Sequence, residues 1–166
     1  MYPFALNVDE DIHSVWAHGT DGSQIVVVTE NGVFLIESRD SAPVRVAESA
    51  REIVASRYAD LDSDGVAELV LIDSAGNLSA LSTKTWIEIW PDLTLQSSSD
   101  FGVSSYALDV ANVDADSALE IITSTGDVID GETGVLEWKH TSDFGLLITT
   151  GDVAVSYTHL TLPTKA

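Results

Sequence analysis

Cysteine is absent from the 166-residue sequence, which excludes disulfides, thiol nucleophiles and thiolate metal sites. Any metal site must therefore use oxygen or histidine ligands. Basic residues are scarce, because seven Lys and Arg stand against 27 Asp and Glu and give a formal net charge of -20. So acidic a chain repels phosphate backbones and anionic lipid surfaces, and we expect no nucleic acid partner.

Long apolar runs are missing as well, so we expect no direct membrane insertion. The opening segment, MYPFALNVDEDIHS, is acidic where a secretion signal would carry basic residues. We therefore expect any export signal to lie upstream of this segment, or Met1 not to be the natural start. For an exported protein, the expected location is the extracellular space, the cell surface or the periplasm.

Common catalytic signatures are also lacking, since the sequence contains no G-x-S-x-G, no P-loop and no H-E-x-x-H. The histidines His13, His18, His140 and His159 are scattered, and a lone histidine is more often structural than catalytic. Close carboxylate pairs could serve glycoside hydrolysis, but their spacing fits metal ligands better. We expect no enzymatic activity.

The sequence does contain an internal repeat. DLDSDGVAELVLIDSAGNLSAL, from Asp60, aligns with NVDADSALEIITSTGDVID, from Asn112, through an acidic loop, an apolar run and a Gly turn. TDGSQIVVVTENGVFLI shares the run and the turn, but its loop offers only Asp21. LLITTGDVA begins a further copy with Asp152. Neither Asp21 nor Asp152 is expected to bind a metal ion alone.

Each copy consists of short β-branched runs bounded by turn residues, which is typical of strands and tight turns. In the second copy this pattern predicts four strands, at residues 52–58, 68–73, 78–82 and 86–90. Residues 69–72 are continuously apolar, which predicts a strand covered on both faces. Residues 25–28 and 119–122 form the matching strands of the neighbouring copies.

Four antiparallel strands per repeat of about 40 to 50 residues are typical of a β-propeller blade. The predicted fold is all-β, a partial β-propeller over residues 1–154 with about three four-stranded antiparallel blades and the start of a fourth. The repeats cover residues 14–48, 52–91, 101–140 and 144–154. A β-sandwich or an open antiparallel array would use the same strands.

Closed propellers usually have about four to eight blades, so the chain is not expected to close a ring alone. Residues 155–166, VSYTHLTLPTKA, continue none of the repeat patterns. We expect them to be a non-native or disordered tail.

The loop from Asp60 has carboxylates at alternate positions, a turn at Gly65 and a closing Glu at its ninth position. This pattern suits Ca²⁺, which takes six to eight oxygen ligands in flexible geometry. The predicted ligands are Asp60, Asp62, Asp64, Glu68 and the backbone carbonyl of Val66. An EF-hand would require Glu at the twelfth position, where this loop has Leu71. An Asp-rich turn without a metal ion is the alternative.

The loop from Asn112 repeats this spacing. Its predicted ligands are Asn112, Asp114, Asp116, Glu120 and the backbone of Ala118. Asn keeps an oxygen ligand but removes one charge. Because Ser117 stands where the first loop has Gly65, we expect a costlier turn and a weaker site.

These residues resemble the FG-GAP or VCBS repeats of integrin α-subunit-like propellers over residues 14–154. The Phe-Gly pairs of that family appear at residues 101–102 and 144–145, and DLDSDGVAEL is the closest match to its metal motif. The resemblance implies a truncated piece of such a propeller, with structural calcium in loops that join the first two strands of a blade. The repeat around Asp60 lacks Phe-Gly, and the first repeat lacks the metal motif.

The endings GDVIDGETGVLEW and ALSTKTWIEIW are also similar to quinoprotein-type propeller blades. We expect Trp90 and Trp138 to anchor the packing between blades, because large aromatic side chains normally serve cores. The expected function is a calcium-binding, non-catalytic module for extracellular protein or glycan interaction and adhesion. The alternative is an accessory propeller of a larger secreted enzyme, either polysaccharide-degrading or quinoprotein-like.

Overall fold

The computed structural model describes residues 10–19, 22–96, 106–114, 116–145 and 147–150. In these ranges the chain forms three four-stranded antiparallel sheets, each with its strands paired in sequence order. Blade 1 consists of β1 (Ile12–His18), β2 (Gln24–Thr29), β3 (Gly32–Ile36) and β4 (Val44–Glu48). Blade 2 consists of β5 (Ile53–Ala59), β6 (Glu68–Asp73), β7 (Asn77–Ser82) and β8 (Leu93–Thr94). Blade 3 consists of β9 (Leu108–Ala111), β10 (Glu120–Thr123), β11 (Asp127–Asp130) and β12 (Leu136–Lys139).

The first strands of the three blades lie side by side. Ser14 on β1 and Ser56 on β5 share a hydrogen bond of 2.7 Å between their hydroxyls. Arg57 on β5 donates to Asp109 on β9, its counterpart one repeat later, over 3.1 Å from Nε to Oδ1. The blades therefore follow one another around a common line of first strands, as in a propeller.

The core lies between the blades, and β6 contributes to both halves of it. Leu69 and Leu71 pack with the apolar residues of blade 1. Val70 and Ile72 pack with Ile121 and other apolar residues of blade 3. The prediction of a strand covered on both faces is confirmed, and the fold is an all-β partial propeller with three described blades.

The fourth strand of blade 2 is not where the sequence pattern predicts it. Residues 86–90 make only an isolated bridge, between Leu81 and Glu88, and the strand itself is the two-residue β8. The interruption falls at Pro91, which cannot donate a backbone hydrogen bond to the ladder. The prediction of a strand at 86–90 was therefore wrong.

Trp90 occupies the space beside this interruption. Its side chain is 6% exposed, and its Nε1 donates to the carbonyl oxygen of Gly131 in blade 3 over 3.0 Å. The ring lies so close to Gly134, which has φ of 69°, that a Cβ there would come within 2.7 Å of it. Trp90 is thus the packing anchor that was predicted, and its neighbour across the blades must be glycine.

Trp138 does not play the same role in the described part of the chain. It lies on β12 with 49% of its surface exposed, and its ring meets Phe144 edge-on at 6.3 Å between centroids. No strand is assigned to residues 144, 145 and 147–150, where the fourth blade was predicted to begin. Residues 151–166, with the predicted tail, lie outside the described residues, as do residues 101–102. The described part contains no helix of the length and hydropathy that a membrane span requires.

Candidate metal centre

The two acidic loops occupy equivalent places, one between β5 and β6 and the other between β9 and β10. They also touch each other. The Ser63 hydroxyl donates to the carbonyl of Ser117 over 2.7 Å, and the Leu119 amide donates to the carbonyl of Leu61 over 2.9 Å. Both predicted sites therefore lie on the same edge of the stacked blades.

The first loop is shaped by its own carboxylates, each of which accepts a backbone N–H. The donor–acceptor pairs are Gly65 to Asp60 (2.9 Å), Asp64 to Asp62 (3.0 Å), Val66 to Asp64 (2.8 Å) and Leu61 to Glu68 (3.0 Å). Gly65 has φ of 87°, as predicted for the turn. Each of these bonds uses one oxygen of its carboxylate, so the second oxygen is not needed to hold the loop backbone.

The second loop repeats three of these bonds at matching positions. The pairs are Asp116 to Asp114 (2.8 Å), Ala118 to Asp116 (2.9 Å) and Val113 to Glu120 (2.5 Å). Asn112 differs from Asp60, because its Nδ2 donates to the carbonyls of Asp116 and Ala118. The predicted carbonyl ligand of Ala118 therefore already accepts one hydrogen bond and has one lone pair left.

The turn of the second loop does not carry the expected strain. Among the described residues other than glycine, only Ser63 and Trp86 have positive φ, so Ser117 closes its loop without one. The second loop thus makes its matching hydrogen bonds at Asp114 and Asp116 without the positive φ that Gly65 has in the first loop. The positive φ expected at Ser117 is therefore not found, and the weaker binding expected of the second loop stays a prediction.

The carboxylates converge in two groups, within each of which one oxygen per residue lies within 4.8 Å of the others. The first group is Asp60, Asp62 and Glu68, and the second is Asp114, Glu120 and Glu137. Three predicted carboxylate ligands of the first loop and two of the second are therefore brought together. The predicted carbonyl ligand of Val66 stays a prediction.

Asp64 and Asp116 do not belong to these groups. Asp64 instead pairs with Lys84, whose Nζ lies 2.7 Å from Oδ2. The ammonium group of Lys84 holds the pKa of this exposed carboxyl below its ordinary value through that hydrogen bond. Asp64 is therefore partly neutralised by a charge from the turn that follows β7.

Two carboxylate oxygens of the loops are buried without a hydrogen-bond partner among the described residues, Asp60 Oδ1 and Glu120 Oε1. Glu120 as a whole is 0% exposed, and Glu68 is 6% exposed. Leaving a buried acceptor unpaired costs about 1–3 kcal/mol, and more when the group is charged. One cation in each loop would satisfy these two oxygens, so the residues present in each loop fit a calcium ion.

The electrostatics of the first group point the same way. Burial raises the pKa of Glu68, the N–H from Leu61 opposes this, and the charges of Asp62, Asp64 and Asp60 raise it further. Two carboxylates about 4 Å apart repel by about 4 kcal/mol at the effective dielectric typical near a protein surface. The first group therefore concentrates negative charge that a divalent cation would relieve.

The second group shows the same effect at Glu137. Desolvation raises its pKa, and the charges of Glu120, Asp114, Asp130 and Asp116 add to the rise. Glu137 is nevertheless an exposed residue of β12, outside the loop. Its position shows that the negative field of the second loop extends to the last strand of the blade.

Sequence reasoning missed Lys84 and Glu137, because neither belongs to the loop pattern. Lys84 reaches Asp64 only because the turn after β7 returns to the edge where the loop lies. Glu137 falls at a register shift between β11 and β12, where Val128 pairs with Trp138 and Ile129 with Leu136. A local motif contains no signal for either contact.

No protein-family model matches the sequence, and no curated protein matches it. Among solved structures the chain is similar to BamB from Moraxella catarrhalis, with 16% identity, a TM-score of 0.45, and coverage of 81% of this chain and 39% of that one. It is also similar to the C-terminal WD40 domain of Sif2, with 14% identity, a TM-score of 0.43, and coverage of 86% and 50%.

The chain therefore spans half or less of the length of both structures. Such weak likenesses do not bear on what it binds. The three stacked four-stranded sheets themselves carry the assignment of the propeller fold, and the resemblance to FG-GAP or VCBS repeats stays an expectation.

Proposed function

We propose that this chain is part of a calcium-stabilised β-propeller of the FG-GAP or VCBS type. It acts as a non-catalytic module that presents loops and strand edges to a protein or glycan partner, in adhesion or a similar interaction, outside the cell or in the periplasm. When bound, calcium neutralises the clustered carboxylates and holds the two acidic loops in one shape. The rigid loops then supply the interaction surface.

One observation carries this proposal. Two loops at equivalent places in consecutive blades have three matching hydrogen bonds from a backbone N–H to a carboxylate, and each contains a buried carboxylate oxygen that has no hydrogen-bond partner among the described residues. Asp-rich turns form for local reasons and do not require such an oxygen. The repetition in two blades favours cation sites over chance acidic turns.

The test is thermal unfolding of the chain in excess chelator and then in millimolar calcium. A ligand at 100 times its dissociation constant adds about 2.7 kcal/mol, which for a chain of this size raises Tm by about 5–10 °C. Asp62→Ala should remove much of the rise. Asp40→Ala deletes an exposed carboxylate between β3 and β4 and is the matched control. An unchanged midpoint for the wild-type chain would refute calcium binding.

The second candidate is an accessory propeller within a larger secreted enzyme, polysaccharide-degrading or quinoprotein-like. It is favoured by the contact of Trp90 with Gly131 and Gly134, which joins the Trp ending of one blade to the Gly turn of the next. Quinoprotein-type blades are similar in these endings. Assays of the natural gene product for polysaccharide degradation and for quinone-dependent oxidation test this candidate, because the non-catalytic module would show neither activity.

A further inference from the structure

Glu137 holds an unusual position on the last strand of blade 3. In the pairing of β11 with β12, Val128 faces Trp138 and Ile129 faces Leu136, so Glu137 is the extra residue of a β-bulge. Bulges turn a side chain away from the regular alternation of a strand. Here the Glu137 carboxylate lies within 4.8 Å of carboxylate oxygens of Asp114 and Glu120.

A second observation, independent of the acidic cluster, marks this place as a ligand position. Glu120 is 0% exposed, and its Oε1 has no hydrogen-bond partner among the described residues, while Oε2 accepts the N–H of Val113. A buried carboxylate oxygen without a partner is rare in native structures. The oxygen is thus available to an ion held between the loop and β12.

The second loop also has one carboxylate fewer than the first. Asn112 stands where the first loop has Asp60, and its Nδ2 donates to two loop carbonyls instead of contributing a charge. Calcium affinity depends on the number of charged ligands. Glu137 restores the number of acidic side chains around the second loop to four, the number around the first.

We propose that Glu137 is a ligand of the second calcium site, which thereby joins the β9–β10 loop to β12, the last strand of the same blade. The inference rests on the proposed calcium binding and deepens it. It also removes the reason to expect weaker calcium binding at the second site than at the first. The second site gains a carboxylate from outside its loop, whereas the first has one carboxylate paired with Lys84.

The test is calcium titration calorimetry on the 166-residue chain and on Glu137→Gln. The control is Glu132→Gln, which removes the same charge from an exposed residue between β11 and β12. We expect Glu137→Gln to weaken one of two sites at least about tenfold, because a charged oxygen ligand is lost. The other site, and both sites of Glu132→Gln, should stay within about twofold of wild type.

The outcomes separate the two proposals. If wild type binds two ions and Glu137→Gln matches Glu132→Gln at both, the role of Glu137 is overturned and calcium binding stands. If wild type binds no calcium, both proposals fail. Melting in chelator shows whether each variant is folded, and Glu137→Asp, which keeps the charge on a shorter side chain, should recover part of the affinity.

Discussion

At the scale of single residues, the two buried glutamates, Glu68 and Glu120, make the same hydrogen bond in their two loops. Each begins the second strand of its blade and accepts the amide of the second residue of its acidic loop, Leu61 or Val113. This bond closes the loop onto the strand without any metal ion. This arrangement costs free energy of folding, because it buries a carboxylate away from water and close to other carboxylates.

Glu120→Gln should therefore act in opposite directions with and without calcium. In chelator, the amide oxygen can still accept from Val113 and the charge is gone, so the free energy of unfolding should rise by about 1 kcal/mol. In millimolar calcium the variant should lose much of the stabilisation that wild type gains. Thermal unfolding under both conditions checks this. A variant that is less stable in chelator and fully responsive to calcium would contradict it.

At the scale of strands and loops, the sequence predicts what depends on local pattern. The run at 69–72 is buried on both faces as β6, and both acidic loops join the first and second strands of their blades. These features follow from alternation, turn residues and loop spacing within a few residues of each other. Most of the fold and the core of each candidate site were predictable on that basis.

The rest depends on how strands pair at a distance. The pattern of residues 86–90 favours a strand, but Pro91 and the burial of Trp90 divert the chain, and pairing resumes only at β8. Glu137 reaches the second loop because of a bulge that no periodicity marks. Lys84 reaches Asp64 across 20 residues of chain. The contacts of Glu137 and Lys84 therefore could not be predicted, because they depend on strand register and on the direction of a turn.

The contact between blades 2 and 3 gives a prediction at this scale. Trp90→Ala should lower the free energy of unfolding by about 3–5 kcal/mol, because it opens a cavity and leaves the Gly131 carbonyl without its donor. Trp138→Ala is the matched control, since that side chain is half exposed, and it should cost about 1 kcal/mol or less. Urea unfolding measures both, and equal losses would contradict the assigned anchor.

At the scale of the whole molecule, both apolar and polar contacts join the described blades. Apolar cores lie between consecutive sheets, and polar bonds connect the first strands, among them Ser14 with Ser56 and Arg57 with Asp109. The acidic loops add a further connection between blades 2 and 3, through Ser63 and Ser117. Calcium in either loop would therefore stiffen the boundary between blades as well as the loop itself.

The number of calcium ions bound per chain tests this account most directly. Equilibrium dialysis of the 166-residue chain against radioactive calcium, at concentrations up to the millimolar range, counts them without relying on stability or spectroscopy. The account predicts two ions per chain, one for each acidic loop, with one ion lost in Glu68→Gln and the other in Glu120→Gln. A chain that binds no calcium in this range would contradict it.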